Sequence, residues 1–435
     1  MAPSGRRFSK HLDVRQNSKV IVPLVIGQHA EDAAVLHAVR TNLTSAPHVR
    51  LKHIRRFDDR LAAHLDGLTI AGEQGWPMLD AALANPSPGV MFAATIGAIE
   101  SRSTDRLNRL YALAEAVRDV QGGLVSAFGW VDQNQLRGIV TGLLASPNAF
   151  LRLLGISACA LHRVDPGSAR EAALEAPASS LRARALRATG ELGRRDLLPT
   201  CLTMLASEDA ESRFWAAWSA VLLGNRSAGL DALKTTGEIP GPYRSRAFRL
   251  ALLAMDQEEA RTWLRQLAKD PENMRWLIQG SGIAGDPAYV PWLIQHMTDK
   301  KTARLAGEAF SLITGLDLAY LDLEIKPPEG GSGAGPNDDP NDPNVEMDAD
   351  DGLPWPDPDR ITRWWQANGS RFEPGTRYFL GAPVTRETAL RALKEGFQRQ
   401  RILAAHYLCL LEPGTVLFEW RAQAARQLRL LASMG

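Results

Sequence analysis

Cysteine is scarce: the 435-residue chain has three, Cys159, Cys201 and Cys409, widely separated and odd in number. Such a set argues against a disulfide framework and suits a reducing compartment, where each thiol is expected to be a buried structural side chain. Long apolar runs are missing as well. The run at 20–26 is interrupted by Pro23 and is far shorter than the roughly 20 residues that span a bilayer. Residues 1–19 are basic and polar, lack the apolar stretch of a signal peptide and read as a disordered N-terminus. These absences predict a soluble, cytoplasmic protein with no membrane partner. Neither sign of charge is in excess: 50 basic and 49 acidic residues leave a net charge of +1, so the whole molecule has no general attraction for nucleic acid or anionic lipid.

Signatures of chemistry are equally thin. The chain has no G-x-x-x-x-G-K-[ST] loop, no G-x-S-x-G elbow and no Rossmann fingerprint. Its nine histidines form no H-E-x-x-H motif and no cysteine–histidine spacing that suits zinc. His48, His53 and His64 cluster near Asp58, Asp59 and Asp66, which raises a metal or acid–base site. Charged residues bordering an amphipathic helix account for the same letters. The expectation is a protein that is not an enzyme and uses no cofactor or metal.

What the chain does have is a repeat. The stretches "LRARALRATGELG", "SRFWAAWSAVLLG", "YRSRAFRLALLAM" and "TARLAGEAFSLITG" are amphipathic helical patterns ending at Gly193, Gly224, Met255 and Gly315, with a related one ending at Gly285. The separations are 31, 31, 30 and 30 residues, and weaker copies extend back to His162, Gly129 and Gly97. An arginine stands eleven positions before four of these ends, at Arg182, Arg213, Arg244 and Arg304, and ten before the fifth, at Arg275. Glycine past a helix supplies the left-handed residue that closes it, and proline at 199 and 291 opens the next helix without losing a hydrogen bond. Helix pairs of this length bury their apolar faces only by stacking. The pattern resembles the HEAT and HEAT-like repeats, which implies an all-α solenoid of antiparallel helix pairs over residues 86–326, with a looser helical region at 20–85. Trp215, Trp218, Trp263, Trp276 and Trp292 fall at core-like spacing and are expected to be mostly buried.

The composition breaks after residue 326. Residues 327–359 hold ten acidic residues, eight prolines and no lysine or arginine, a linker that cannot build a core of its own. It reads either as a solvated spacer or as a segment laid over the solenoid or a partner, anchored by Trp355 and the pair Trp364 and Trp365. Residues 360–435 read as a small helical unit whose arginines (Arg386, Arg391, Arg399, Arg401, Arg421, Arg426 and Arg429) either solvate a helix face or hold the acidic linker. The solenoid is expected to fold without it.

The motifs "HLDGLTIAGEQGW", "GEAFSLITGLDLAYLDLE", "PNDDPNDPNVEMDADDGLPWPDP", "GTRYFLGAPVT" and "EGFQRQRILAAHYL" resemble those of a bacterial family commonly encoded beside type VI secretion genes. The resemblance implies a non-catalytic protein-binding scaffold, an adaptor or chaperone for a secretion effector or spike component. Two alternatives stand beside it: a nucleic-acid-binding or DNA-repair repeat protein, and a toxin-neutralising immunity protein. A DNA-binding solenoid needs a basic concave stripe, whereas residues 135–320 carry 22 basic and 19 acidic residues. Candidate partner-binding residues are the arginine ladder, Arg182, Arg213, Arg244 and Arg304, and the three tryptophans Trp355, Trp364 and Trp365. Pairing within the scaffold is the competing role for the ladder.

Overall fold

The computed structural model describes residues 22–328 and 348–434. The basic segment 1–19 and the central part of the acidic linker lie outside the described residues. Within them the fold is all-helical, with 22 α-helices and only two antiparallel pairs of two-residue strands.

Local signals set the helix ends. Asn148 caps the helix Ala149–Leu161 by accepting from the amides of Phe150 and Leu151, and Asp209 caps Ala210–Leu222 through the amide of Ser212. Pro199 and Pro291 lie in the first turns of Leu198–Thr203 and Val290–His296. Gly285 and Gly315 close Met274–Ala284 and Ala303–Thr314 in the left-handed conformation, with φ of 69° and 77°. The two earliest register points differ from the expectation. Gly97 lies inside Pro88–Glu100, and Gly129 lies in the last turn of Gln121–Trp130 against Leu161. Neither glycine terminates a helix there; Gly129 lets Leu161 approach closely, whereas a Cβ at Gly97 would meet only Leu79 at ordinary contact distance.

The helices Pro88–Glu100, Gln121–Trp130, Ala149–Leu161, Ser179–Glu191, Ala210–Leu222, Arg244–Ala254, Met274–Ala284 and Ala303–Thr314 stack one on the next as an inner row. The helices between them form the outer row. The first two helices, Pro23–Leu43 and Leu51–Ala71, make an antiparallel hairpin that packs on Pro88–Glu100. Apolar burial drives this stacking. Trp215 and Trp218 are buried and Trp263 is fully buried, while Trp276 and Trp292 are half-buried. All three cysteines are free and buried, as expected.

The C-terminal unit corrects the expectation of two self-sufficient parts. Its helices Arg386–Glu395 and Gln398–Leu411 share one apolar core with the repeats, in which Leu393, Leu403, Tyr407 and Leu408 join Leu186, Trp218, Leu250 and Phe248. The unit also serves the carbonyl ends of the inner helices. Arg377 donates to the carbonyls of Leu252, Leu253 and Met255 at 2.7–2.9 Å. The amide of Tyr378 donates to Gly285, that of Leu380 to Leu312, and that of Leu417 to Glu191. Each contact satisfies a helix-end acceptor that would otherwise lack a partner. The last helix, Ala424–Ser433, then packs on Leu51–Ala71. Buried Asp58 accepts from Arg40 at 2.5 Å and from the amide of Ala424 at 2.7 Å. Arg50 reaches Asp317, just past the last repeat, at 2.7 Å and stacks on Phe397. The N-terminal hairpin thus meets both the final repeat and the C-terminal unit, and the arc is closed.

Candidate functional site

Closure leaves space between the inner row and the C-terminal unit. Three adjoining cavities of about 290, 340 and 860 Å³ share Ser45 in their linings. Their walls come from the inner face of the stacked helices. Successive helices present Arg184 and Arg187, then Trp215 and Trp218, then Arg246 and Arg249, then Trp276 and Gln279, then Leu305 and Glu308. Arg163, just past the helix Ala149–Leu161, adds to this wall, and from the C-terminal unit come Leu417, Glu419, Trp420 and Arg421. Trp215, Trp218, His406 and Trp420 form a continuous row of ring contacts, with centroids 5.4, 6.1 and 5.6 Å apart.

Charge in this space is one-sided. The three linings contain nine arginines (40, 163, 184, 187, 246, 249, 399, 421 and 426) and three carboxylates, Glu191, Glu308 and Glu419. The carboxylates are engaged: Glu191 by Arg184 and Arg187, each at 2.8 Å, Glu308 by Arg399 at 2.8 Å, and Glu419 by Arg163 at 3.0 Å. Arg426 donates to the carbonyls of Trp130 and Val131. The guanidinium groups of Arg246, Arg249 and Arg421 have no hydrogen-bond or ion-pair partner among the described residues; Arg246 lies over Trp215 and Arg421 over Trp420.

The titration behaviour follows from that crowding. Burial, then the charges of Arg246, Arg399 and Arg421, push Arg249 down to about 10. Burial and the charges of Arg187 and Arg421 lower Arg246. Burial raises the Glu191 carboxyl, but Arg184, Arg187 and Arg163 outweigh it and hold the group at about 2. His406 is pushed down to about 4 by burial and stands neutral between the tryptophans.

The sequence-derived candidates serve the scaffold. Arg182 donates to the Ala176 carbonyl and to Ser212, and Arg213 to the Ser207 carbonyl. Arg244 donates to the Gly237 carbonyl and to Asn273. Arg304 binds Asp348 at 2.5 Å and lies 4.9 Å from the ring of Trp355, which is itself buried. Trp364 and Trp365 are half-buried beside Phe372, with Trp364 also against Phe310. The cleft residues were legible only as a second ladder: two and five positions past Arg182, Arg213 and Arg244 stand Arg184 and Arg187, Trp215 and Trp218, and Arg246 and Arg249.

The histidine cluster is dispersed. His53 accepts from the Arg50 amide, His64 lies against His29, and His48 packs on Gly352. Among the described residues no group of three or more His, Cys, Asp or Glu is arranged to hold a metal. The letters G-x-G-x-x-G do occur at 280–285, contrary to the reading that no Rossmann fingerprint is present, but they end the helix Met274–Ala284 instead of opening one after a strand, and Gly280 and Gly282 admit Leu264 and Ala309 of neighbouring helices. Burial pushes the thiols of Cys159, Cys201 and Cys409 up to about 11, 12 and 12, away from nucleophilic use. No helix among the described residues is long and apolar enough to cross a membrane. No family model, curated protein or solved structure matches the chain.

Proposed function

We propose that this chain is a non-catalytic binding protein and that the interior cleft is the surface with which it grips a partner protein. The observation that carries the reading is the set Arg246, Arg249 and Arg421, three guanidinium groups without a hydrogen-bond or ion-pair partner among the described residues, in a tryptophan-walled cavity. Arg246 and Arg421 are exposed and Arg249 is half-buried, so a ligand entering the cleft can reach all three, and the carboxylates it brings relieve their like-charge crowding. Aromatic and arginine side chains are also the types that dominate protein-binding energy. The biological setting is the one implied by the family resemblance, an adaptor or chaperone for a type VI secretion effector or spike component. Duplex nucleic acid is the weaker reading, because the helix Gln398–Leu411 packs on the concave wall where a duplex would lie.

The test is co-expression with neighbouring secretion genes followed by purification of the tagged chain. A stoichiometric effector or spike protein is expected, and its recovery should fall at least tenfold with Arg246→Glu/Arg249→Glu. Capture of no secretion component would remove the adaptor role. Undiminished capture by the double variant would remove the cleft as the binding surface.

A further inference from the structure

We propose that the cleft at Trp215, Arg246, Arg249 and Arg421 takes an acidic peptide segment, held as the adjoining wall already holds the chain's own residues 348–355. This inference rests on the reading of the cleft as the partner-binding surface and names the chemistry of its ligand.

The last two repeats display how this solenoid binds carboxylates. Arg275 forms a bidentate pair with Asp350, at 2.7 and 2.9 Å. Arg304 donates to Asp348 at 2.5 Å while its guanidinium lies 4.9 Å from the Trp355 ring, so the cation is held between an indole and a carboxylate. Arg399, from the helix Gln398–Leu411, closes on the carbonyl of Ala349 at 2.8 Å. A segment reading Asp-Ala-Asp followed by tryptophan is thus gripped by two repeats on one side and by the C-terminal unit on the other.

The same parts recur deeper in the arc, where no carboxylate of the described residues is paired with these guanidinium groups. Arg246 lies 5.8 Å from the Trp215 ring and Arg421 lies 5.9 Å from the Trp420 ring. Arg249 lines the same cavity with no partner among the described residues. Again one side comes from the repeats and the other from the C-terminal unit. A guanidinium stacked on an indole keeps its edge N–H groups available, and their planar fork matches a carboxylate. Among the described residues the lining acids Glu191, Glu308 and Glu419 are already committed to Arg163, Arg184, Arg187 and Arg399, so carboxylates brought by a ligand would complete the pairs at Arg246, Arg249 and Arg421. The cavity holds about 340 Å³ and adjoins the others, which suits a few side chains of an extended segment and not a folded domain.

The experiment is fluorescence anisotropy of a fluorescein-labelled octapeptide with the sequence of residues 348–355 (DADDGLPW) added to the full-length protein. Saturable binding is expected, weakened at least tenfold by raising salt from about 0.05 to about 0.5 M. It should be lost when the peptide's aspartates are replaced by asparagine. Affinity should also fall at least tenfold in Arg246→Gln/Arg249→Gln, a variant that relieves like-charge crowding and whose melting is checked to be no lower than that of the parent. Binding that ignores these two arginines, or equal binding of the asparagine peptide, would overturn the proposal. Tighter binding of a single-stranded oligonucleotide at the same arginines would also overturn it. If the peptide fails while partner capture still depends on Arg246 and Arg249, the ligand class falls and the cleft stands. If capture also loses that dependence, both readings fall.

Discussion

Glu191 is almost fully buried, and Arg184 and Arg187 each meet it at 2.8 Å. Its carboxyl is held at about 2, below the ordinary value near 4.3 that it takes in the unfolded chain. A depressed carboxylate stabilises the fold above the unfolded value, and the contribution is lost as pH falls from about 4.3 toward 2. The urea midpoint should therefore drop over that window, and Glu191→Gln should flatten the drop; a parallel pH profile in the variant would contradict the assignment. Glu191→Ala leaves two arginines unpaired and should cost about 3–5 kcal/mol at neutral pH. Trp263 is fully buried, with its indole N–H donating to Glu238 at 2.8 Å. Trp263→Ala should cost about 3–5 kcal/mol in urea unfolding, and a loss under about 1 kcal/mol would mean the helix face is misassigned. At this scale the sequence was partly legible. Helical spacing placed Trp215 and Trp218 inward, and both are buried. It did not reveal that they also wall a cavity, because periodicity states which side a residue faces and not what stands opposite.

The helices and their turns were the most legible part. Glycine and proline at a constant period reflect backbone chemistry that any homologous unit must solve in the same way. The edge to which the C-terminal unit attaches was not legible. The glycines at the repeat ends do more than close helices: a Cβ on Gly193 would clash with the carbonyl of Gly414, and one on Gly315 with the backbone at Leu380. Each glycine gives the C-terminal unit a flat seat beside the helix-end carbonyls to which it donates. Gly193→Val should therefore loosen the segment around Gly414 and make it a site of limited proteolysis. Unchanged resistance at that segment would contradict the seating. Cutting the chain after residue 326 removes the shared core residues Leu393, Leu403, Tyr407 and Leu408. The truncated chain should lose its cooperative melt and bind apolar dyes, and a sharp melt near that of the full chain would restore the idea of an independent solenoid.

For the whole molecule, linear charge counts hid the decisive feature. Basic and acidic residues nearly balance over the whole chain, yet folding sorts nine arginines against three carboxylates into the interior linings, with the repeats, the N-terminal hairpin and the C-terminal unit all contributing. Closure of the arc creates that space. The ion pair of Arg50 with Asp317 and the docking of the last helix on the first hairpin bring together residues far apart in the chain, a juxtaposition no local pattern encodes. The most direct test of a partner-binding interior is site-specific photo-crosslinking of the captured partner. A photoreactive amino acid is placed at Ser45, which lines all three cavities, at Ser245 beside Arg246, and at Thr235, exposed on the outer row. Adducts with the partner are expected from positions 45 and 245 and none from 235. Adducts from position 235 alone would contradict it.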